Sequence, residues 1–468
     1  MIAAVVAAVV VGTATPEPDP VAAVTPAAEV VEGRPATTWY CAAGSSDAEG
    51  FADETVVIGN IGDEDADVTV RVERGDEGEP VSEQFDVPAQ SQERVLISDL
   101  VESAAPGVVV EAFGGTVVVD HLLRGADDVA GGSCATDTST TWYFAAGTTT
   151  ADTAQFLDLF NPFGNDAILD VTLFTSEGVK PDRSLEGLVV PRHSKVSVAV
   201  HSAVPRQDIV ALGVEARAGR VVAERTTVYL GNQKPAGLGV SLGAVEPSTD
   251  WTVVNGRLGS GASEAIVVLN PGDITAEIEV AVVADGDTLV EPQFLSVPSR
   301  SVAALDVAGL PAEEDHTIRV RSVNDQPVVV DQRWVFPAPD SAIGLATTEG
   351  ITDPTERWAF AYAGVDDTSA DRLIVFNPAV LGEGDAVTVS ATLFRGGSVQ
   401  PLQAADLDAV DLDVTDVVVE PGERLTVKLG DVPGLSSAAL TLEASGPVVT
   451  SLVSFPAGVA TTPGVPVR

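Results

Sequence analysis

Three observations predict an all-β fold. Val and Thr, whose branched side chains suit a pleated surface, are abundant in the 468 residues. Four landmarks recur in the same order four times along the chain. No segment carries a long apolar period of 3.6 residues, the mark of an amphipathic helix. A chain of this length is too long for a single core, so several domains are expected.

Reading from the N-terminus, Ile2 to Val11 is unbroken apolar and is followed by Gly12-Thr13-Ala14. The run is short for a bilayer span, which takes about 20 residues. It matches the core of a secretory signal with small residues before a cleavage point. Residues 1–14 are therefore assigned to a signal peptide or membrane-anchor remnant. Residues 15–37, rich in Pro, Ala and Glu, are expected to form a disordered tether.

The repeats follow. A Trp opens each one: Trp39, Trp142, Trp251 and Trp358. The text around it recurs, as in Trp39-Tyr40-Cys41-Ala42-Ala43-Gly44 and Trp142-Tyr143-Phe144-Ala145-Ala146-Gly147. An apolar run ending in Asn comes next, at Asn60, Asn161, Asn270 and Asn377, with Pro after the last three. Asn bonds locally to backbone and Pro stops a ladder, so a central strand should end there. Pro88, Pro191, Pro298 and Pro421 each precede an alternating strand. A Val run closes the order, at Val117–Val119, Val221–Val222, Val328–Val330 and Val448–Val449. About seven short strands per repeat, with turn signals every 8–12 residues, indicate two-sheet sandwiches of immunoglobulin-like class. The expected β-sandwich domains span 38–135, 139–245, 249–346 and 356–468, and short linkers suggest a semi-rigid, elongated stack.

On these motifs the chain resembles bacterial surface proteins with tandem immunoglobulin-like domains. More narrowly, it resembles an actinobacterial exported or membrane-anchored family, domain-of-unknown-function family 5719. The resemblance covers the whole chain. It implies fold and an extracytoplasmic place, and it supplies no catalytic residues.

The two cysteines, Cys41 and Cys134, stand at the two ends of the first repeat, and one disulfide between them is expected. The net charge of −44 repels phosphate backbones and anionic headgroups. Nucleic acid is thus an unsuitable partner, and membrane contact is expected only through the N-terminal segment. His121, His193, His201 and His316 share no metal-ligand spacing, and no nucleophile or phosphate-loop motif is present. Neither a catalytic residue nor a cofactor is expected. Calcium is the one cation the sequence suggests, because the fourth repeat carries an insertion from Gln400 to Asp416 with Asp406, Asp408, Asp411 and Asp413 as candidate carboxylate ligands.

Two further features are candidate ligand contacts. Asp120, Glu224 and Asp331 directly follow the Val runs, with Ser451 in the fourth repeat. Trp334 has no counterpart in the other repeats, whereas the four opening Trp residues read as core. The expected function is that of a non-enzymatic envelope scaffold, spacer or adhesive protein. The alternative is a binding module for cell-wall polysaccharide or for an envelope-biogenesis enzyme, and a hydrolase is the remote alternative.

Overall fold

The computed structural model describes residues 26–468 except 48–49, 76–77, 126–127, 230–236, 258–261, 285–289, 308–314, 337–343, 367–370, 380–383, 406–410, 430–431, 433 and 456–458. The expected signal segment, residues 15–25 of the tether, Asp406 and Asp408 lie outside the described residues. What is described is almost entirely β-strand, in discrete antiparallel sheets. Among the described residues no helix is long and apolar enough to cross a membrane.

Repeat 1 sets the pattern with β1 (Ala36–Cys41), β2 (Asp53–Asn60), β3 (Ala66–Glu73), β4 (Val81–Val87), β5 (Ser91–Leu96), β6 (Gly107–Phe113), β7 (Val117–Arg124) and β8 (Val129–Ser133). One sheet runs β1-β6-β3-β4 and the other β5-β2-β7-β8. Alternation shapes β3: Ala66, Val68, Val70 and Val72 are buried while Asp67 is exposed. By contrast, β2 is buried along nearly its whole length, and its Gly59 lies against Ala361 and Ala439 of repeat 4, so a neighbouring repeat covers its second face. Repeats 2 and 3 repeat both strand orders. In repeat 4 the counterparts of β6 and β7 run together as one strand, Ala439–Ser454, that serves both sheets. Each repeat thus has eight strand positions rather than about seven. The last strand of repeat 3 is Gly344–Glu349. The strand order also differs from an antibody constant domain, where A-B-E-D faces C-F-G.

The landmarks tie the two sheets together. The side-chain amide of Asn60, at the end of β2, donates to Val87 O at 3.1 Å at the end of β4 in the opposite sheet. Asn161, Asn270 and Asn377 make the same bond to Val190, Val297 and Val419, each at 3.0 Å. The carbonyl oxygen of each Asn also accepts from the backbone N–H two residues on, which starts the turn. All four opening Trp residues are buried. The indole N–H of Trp142, Trp251 and Trp358 donates to the carbonyl of Val221, Val328 and Val448 at the start of the Val run.

The repeats close into a ring. Repeat 1 meets repeat 2, repeat 2 meets repeat 3, and repeat 3 meets repeat 4 through shared apolar contacts. Repeats 1 and 4 form one continuous apolar core. Around the ring axis β8 contacts Gly237–Leu242, that strand contacts Gly344–Glu349, the third contacts Ala460–Pro463, and the fourth returns to β8. Small residues permit this approach. A Cβ on Gly237 would stand 2.7 Å from the backbone N of Leu345, and one on Gly131 would stand 2.4 Å from the Tyr362 hydroxyl. The elongated stack expected from the short linkers is therefore corrected. Both ends of every repeat carry half of a joint, and closure lets the joint between repeats 4 and 1 form as well. The C-terminal strand holds part of the tether too. Val30 N–H donates to Pro466 O at 2.8 Å, Arg468 N–H donates to Val30 O at 2.8 Å, and Ala28 and Val30 are buried.

Candidate functional site

The acidic column lies in the seams of the ring and not at an open end. Its members sit on the counterparts of β7, where the strand leaves the Val run, and are directed at the loop after the first strand of the preceding repeat. Glu224 accepts from the backbone N–H of Ala43 at 2.7 Å. Asp331 accepts from Ala145 and Ala146 at 2.9 and 2.8 Å. Asp120 accepts from Ala361 at 2.7 Å and closes the ring. The recurring Ala-Ala-Gly text supplies these N–H groups, since small side chains let the neighbouring carboxylate reach the backbone. All three acids are buried, Asp120 and Glu224 completely. Asp120, Glu224 and Asp331, expected as ligand contacts, are buried against the adjacent repeat and bond its backbone.

The residue after each acid completes the joint. His121 faces Glu224 at 3.5 Å, and Arg225 pairs with Asp331 at 3.1 Å. In repeat 4 this position is Leu452, so Asp120 meets no cation from its neighbour. Burial pushes Asp120 up to about 7, against the opposing bonds from Ala361 and Ser133. Burial alone would lower His121, but the carboxylates of Glu224, Glu54 and Asp120 outweigh it and hold the imidazole at about 9. Burial likewise raises Glu54 and Glu224, with His121 between them opposing the shift.

The seam between repeats 3 and 4 is built differently. Ser451 replaces the acid and donates to Thr462 O at 3.2 Å inside its own repeat. Trp334 fills this seam together with Val254, Ile374, Phe376 and Val449. It is only 1% exposed, and its indole N–H donates to Arg257 O at 2.9 Å. The expectation that Trp334 is an exposed contact residue is corrected: it seals the one seam that lacks the acid.

A further buried polar column passed unnoticed in the sequence. Glu54, Gln155, Glu264 and Asp371 each stand six residues before the landmark Asn and are buried. Glu54 holds His121 Nδ1 at 3.1 Å, Gln155 accepts from Thr148 N–H at 2.8 Å, and Glu264 accepts from Gln332 at 2.6 Å. The available signal was a polar residue at one constant offset inside an apolar run.

Cys41 and Cys134 are joined by a disulfide, as expected. Their sulfurs lie within 4.8 Å of a His121 nitrogen, a group that could hold a metal ion. With the bond formed neither sulfur is a thiolate, and both His121 nitrogens face carboxylates. Asp411 and Asp413 lie on the second strand of a small ribbon, Gln403–Ala405 with Asp411–Asp413.

At the axis a cavity of about 120 Å³ is lined by residues of all four repeats and by Pro26–Ala28 of the tether. Its wall includes Ser133, Val240, Leu242, Thr347, Glu349 and Trp358. Burial and the neighbouring Asp331 push the Glu349 carboxyl well above the usual range, with Arg225 opposing. Beside the axis, burial likewise raises Asp128 to about 7, although three backbone N–H groups, from Leu238, Val129 and Val459, bind its carboxylate.

With this geometry in view, residues 112–409 match a family of unknown function (DUF5719). The chain belongs to that family. The match runs from β6 of repeat 1 into the insertion of repeat 4. No curated protein matches. Among solved structures the chain is similar to the crystal structure of Thermotoga maritima 1070, at 20% identity and a TM-score of 0.21. That likeness covers 23% of this chain and 95% of that one, and it carries no argument.

Proposed function

We propose that this chain is a non-enzymatic extracytoplasmic protein of an actinobacterial envelope. In this reading four immunoglobulin-like β-sandwich domains close into one ring that scaffolds partners on its outer faces. The observation that carries the reading is the use of the buried polar residues. Glu54, Asp120, His121, Glu224, Arg225 and Asp331 bond one another or a neighbouring backbone, and so serve assembly. The disulfide suits an oxidising compartment. The apolar N-terminal run suits export or anchoring, and the charge of −44 disfavours nucleic acid.

A second reading, a binding module for cell-wall polysaccharide or an envelope-biogenesis enzyme, is favoured by one observation: the axial cavity shared by all four repeats. Surface crosslinking in intact envelopes followed by mass spectrometry separates the two. Scaffolding predicts crosslinks to a defined partner from outer faces in all four repeats, with Cys41 and Cys134 linked. Recovery from the cytoplasm with both thiols free to alkylate would remove the compartment and the scaffold together. Co-sedimentation with purified wall polysaccharide would favour the second reading.

A further inference from the structure

The axial cavity contains a carboxylate that the ring itself does not use. Glu349 lies opposite Asp331 on the neighbouring strand. Arg225 is the cation nearest this pair, yet its guanidinium already bonds Asp331 at 3.1 Å and Ser241 at 2.9 Å. One cation therefore serves two carboxylates, and Glu349 accepts no hydrogen bond among the described residues. Asp353, also in the wall, is already paired with Arg468, and Glu246 adds a further negative charge.

Two other features favour a ligand over an empty acidic pocket. Thr347 borders the cavity and is 3% exposed, and its buried hydroxyl has no hydrogen-bond partner. An unpartnered buried hydroxyl is costly, and a ligand that bonds it recovers that cost. The remaining wall is largely apolar, with Val240, Leu242 and Ile351. A hard divalent cation is best held by several free carboxylates, whereas Asp353 here is already held by Arg468. Negative charge around the cavity rejects anions. The volume of about 120 Å³ admits a molecule of a few heavy atoms.

We propose that the axial cavity is a binding site for a small organic ammonium ion, whose charged nitrogen pairs with Glu349 and whose carbon skeleton lies on the apolar wall. A hydroxyl on the ligand would complete the bond to Thr347. The site goes beyond the scaffold reading and stands whether or not the ring holds partners, because only the axis is involved.

The probe is ethanolamine, titrated into the full chain by calorimetry and by thermal melting, with ethylene glycol as the uncharged control. Saturable binding with a rise in Tm is expected, as for any ligand that binds only the folded state. Ethylene glycol should give neither. Glu349→Gln should weaken binding at least about tenfold, the scale of one charge-assisted contact. The variant is isosteric and leaves no ionisable group facing Asp331, so its own Tm should not fall, and lost binding cannot then be ascribed to misfolding. If its Tm does fall, Thr347→Val decides: weaker ethanolamine binding at unchanged Tm supports the site, and unchanged binding overturns it. Absence of saturable binding to the parent chain, equal binding by a well-folded Glu349→Gln, or equal binding of ethylene glycol also overturns it.

Discussion

Beside Gln92 and Arg94, which also bond repeat 4, Asp120 is the buried acid at the closing seam of the ring. Asp120 accepts from Ala361 N–H in the only seam that joins the first repeat to the last, and repeat 4 offers it no cation. Its carboxyl is raised to about 7, above the value of about 3.9 for an unfolded Asp. Between these values the folded chain holds a proton that the unfolded chain has released. The contribution of Asp120 to stability is therefore full at the acid end and is lost as pH rises from about 4 to about 7. His121, raised to about 9 from an ordinary 6.5, continues the fall on the alkaline side. Asp128, raised in the same way, acts in the same direction. We predict that Asp120→Asn, which keeps an acceptor for Ala361 but cannot ionise, raises Tm at pH 8 and leaves it nearly unchanged near pH 4. Calorimetric melts of both chains across pH 4 to 9 test this, and an equal shift at both ends would contradict it.

Strands are held in register by the landmark Asn residues, and here the sequence was informative. Asn161 ties the end of Thr153–Asn161 to Val190 in the opposite sheet and also starts the turn at Phe163. Its replacement by Ala leaves the buried Val190 carbonyl unmet. Asn161→Ala should destabilise by about 2–3 kcal/mol, the range for an unsatisfied buried group. Denaturant unfolding monitored by Trp fluorescence measures it, and a change below about 0.5 kcal/mol, the range of ordinary surface substitutions, would show that the bond is dispensable. The recurrence of Asn with Pro was visible because local turn chemistry demands those residue types. The partner carbonyl was not visible, because it lies 27 to 42 residues away in the chain.

At the scale of the molecule the ring makes a geometric prediction. A compact chain of this size should have a radius of gyration of about 22 Å. A string of four units would be far longer, so small-angle scattering distinguishes the two. Gly237→Val, whose Cβ would stand 2.7 Å from the Leu345 backbone, should open the seam between repeats 2 and 3 and increase the radius. An unchanged profile for that variant would mean that the central strands are not in close contact.

Strand content, the number of repeats, the order of landmarks and the disulfide partners were legible in the sequence alone. Each rests on local chemistry: alternation, turn residues, and two cysteines with no other partner. The acidic column was also legible as a column, but its role was not. A carboxylate after a Val run looks the same whether solvent, a ligand or a neighbouring repeat stands beside it. Trp334 read as exposed for the same reason, since its lack of a counterpart was visible while the missing acid it offsets lies in another repeat. Closure itself was decided only in three dimensions. The first and last repeats carry the same half-joints as the inner ones, and only their meeting in space satisfies Asp120 and Ala361 together and encloses a cavity on the axis.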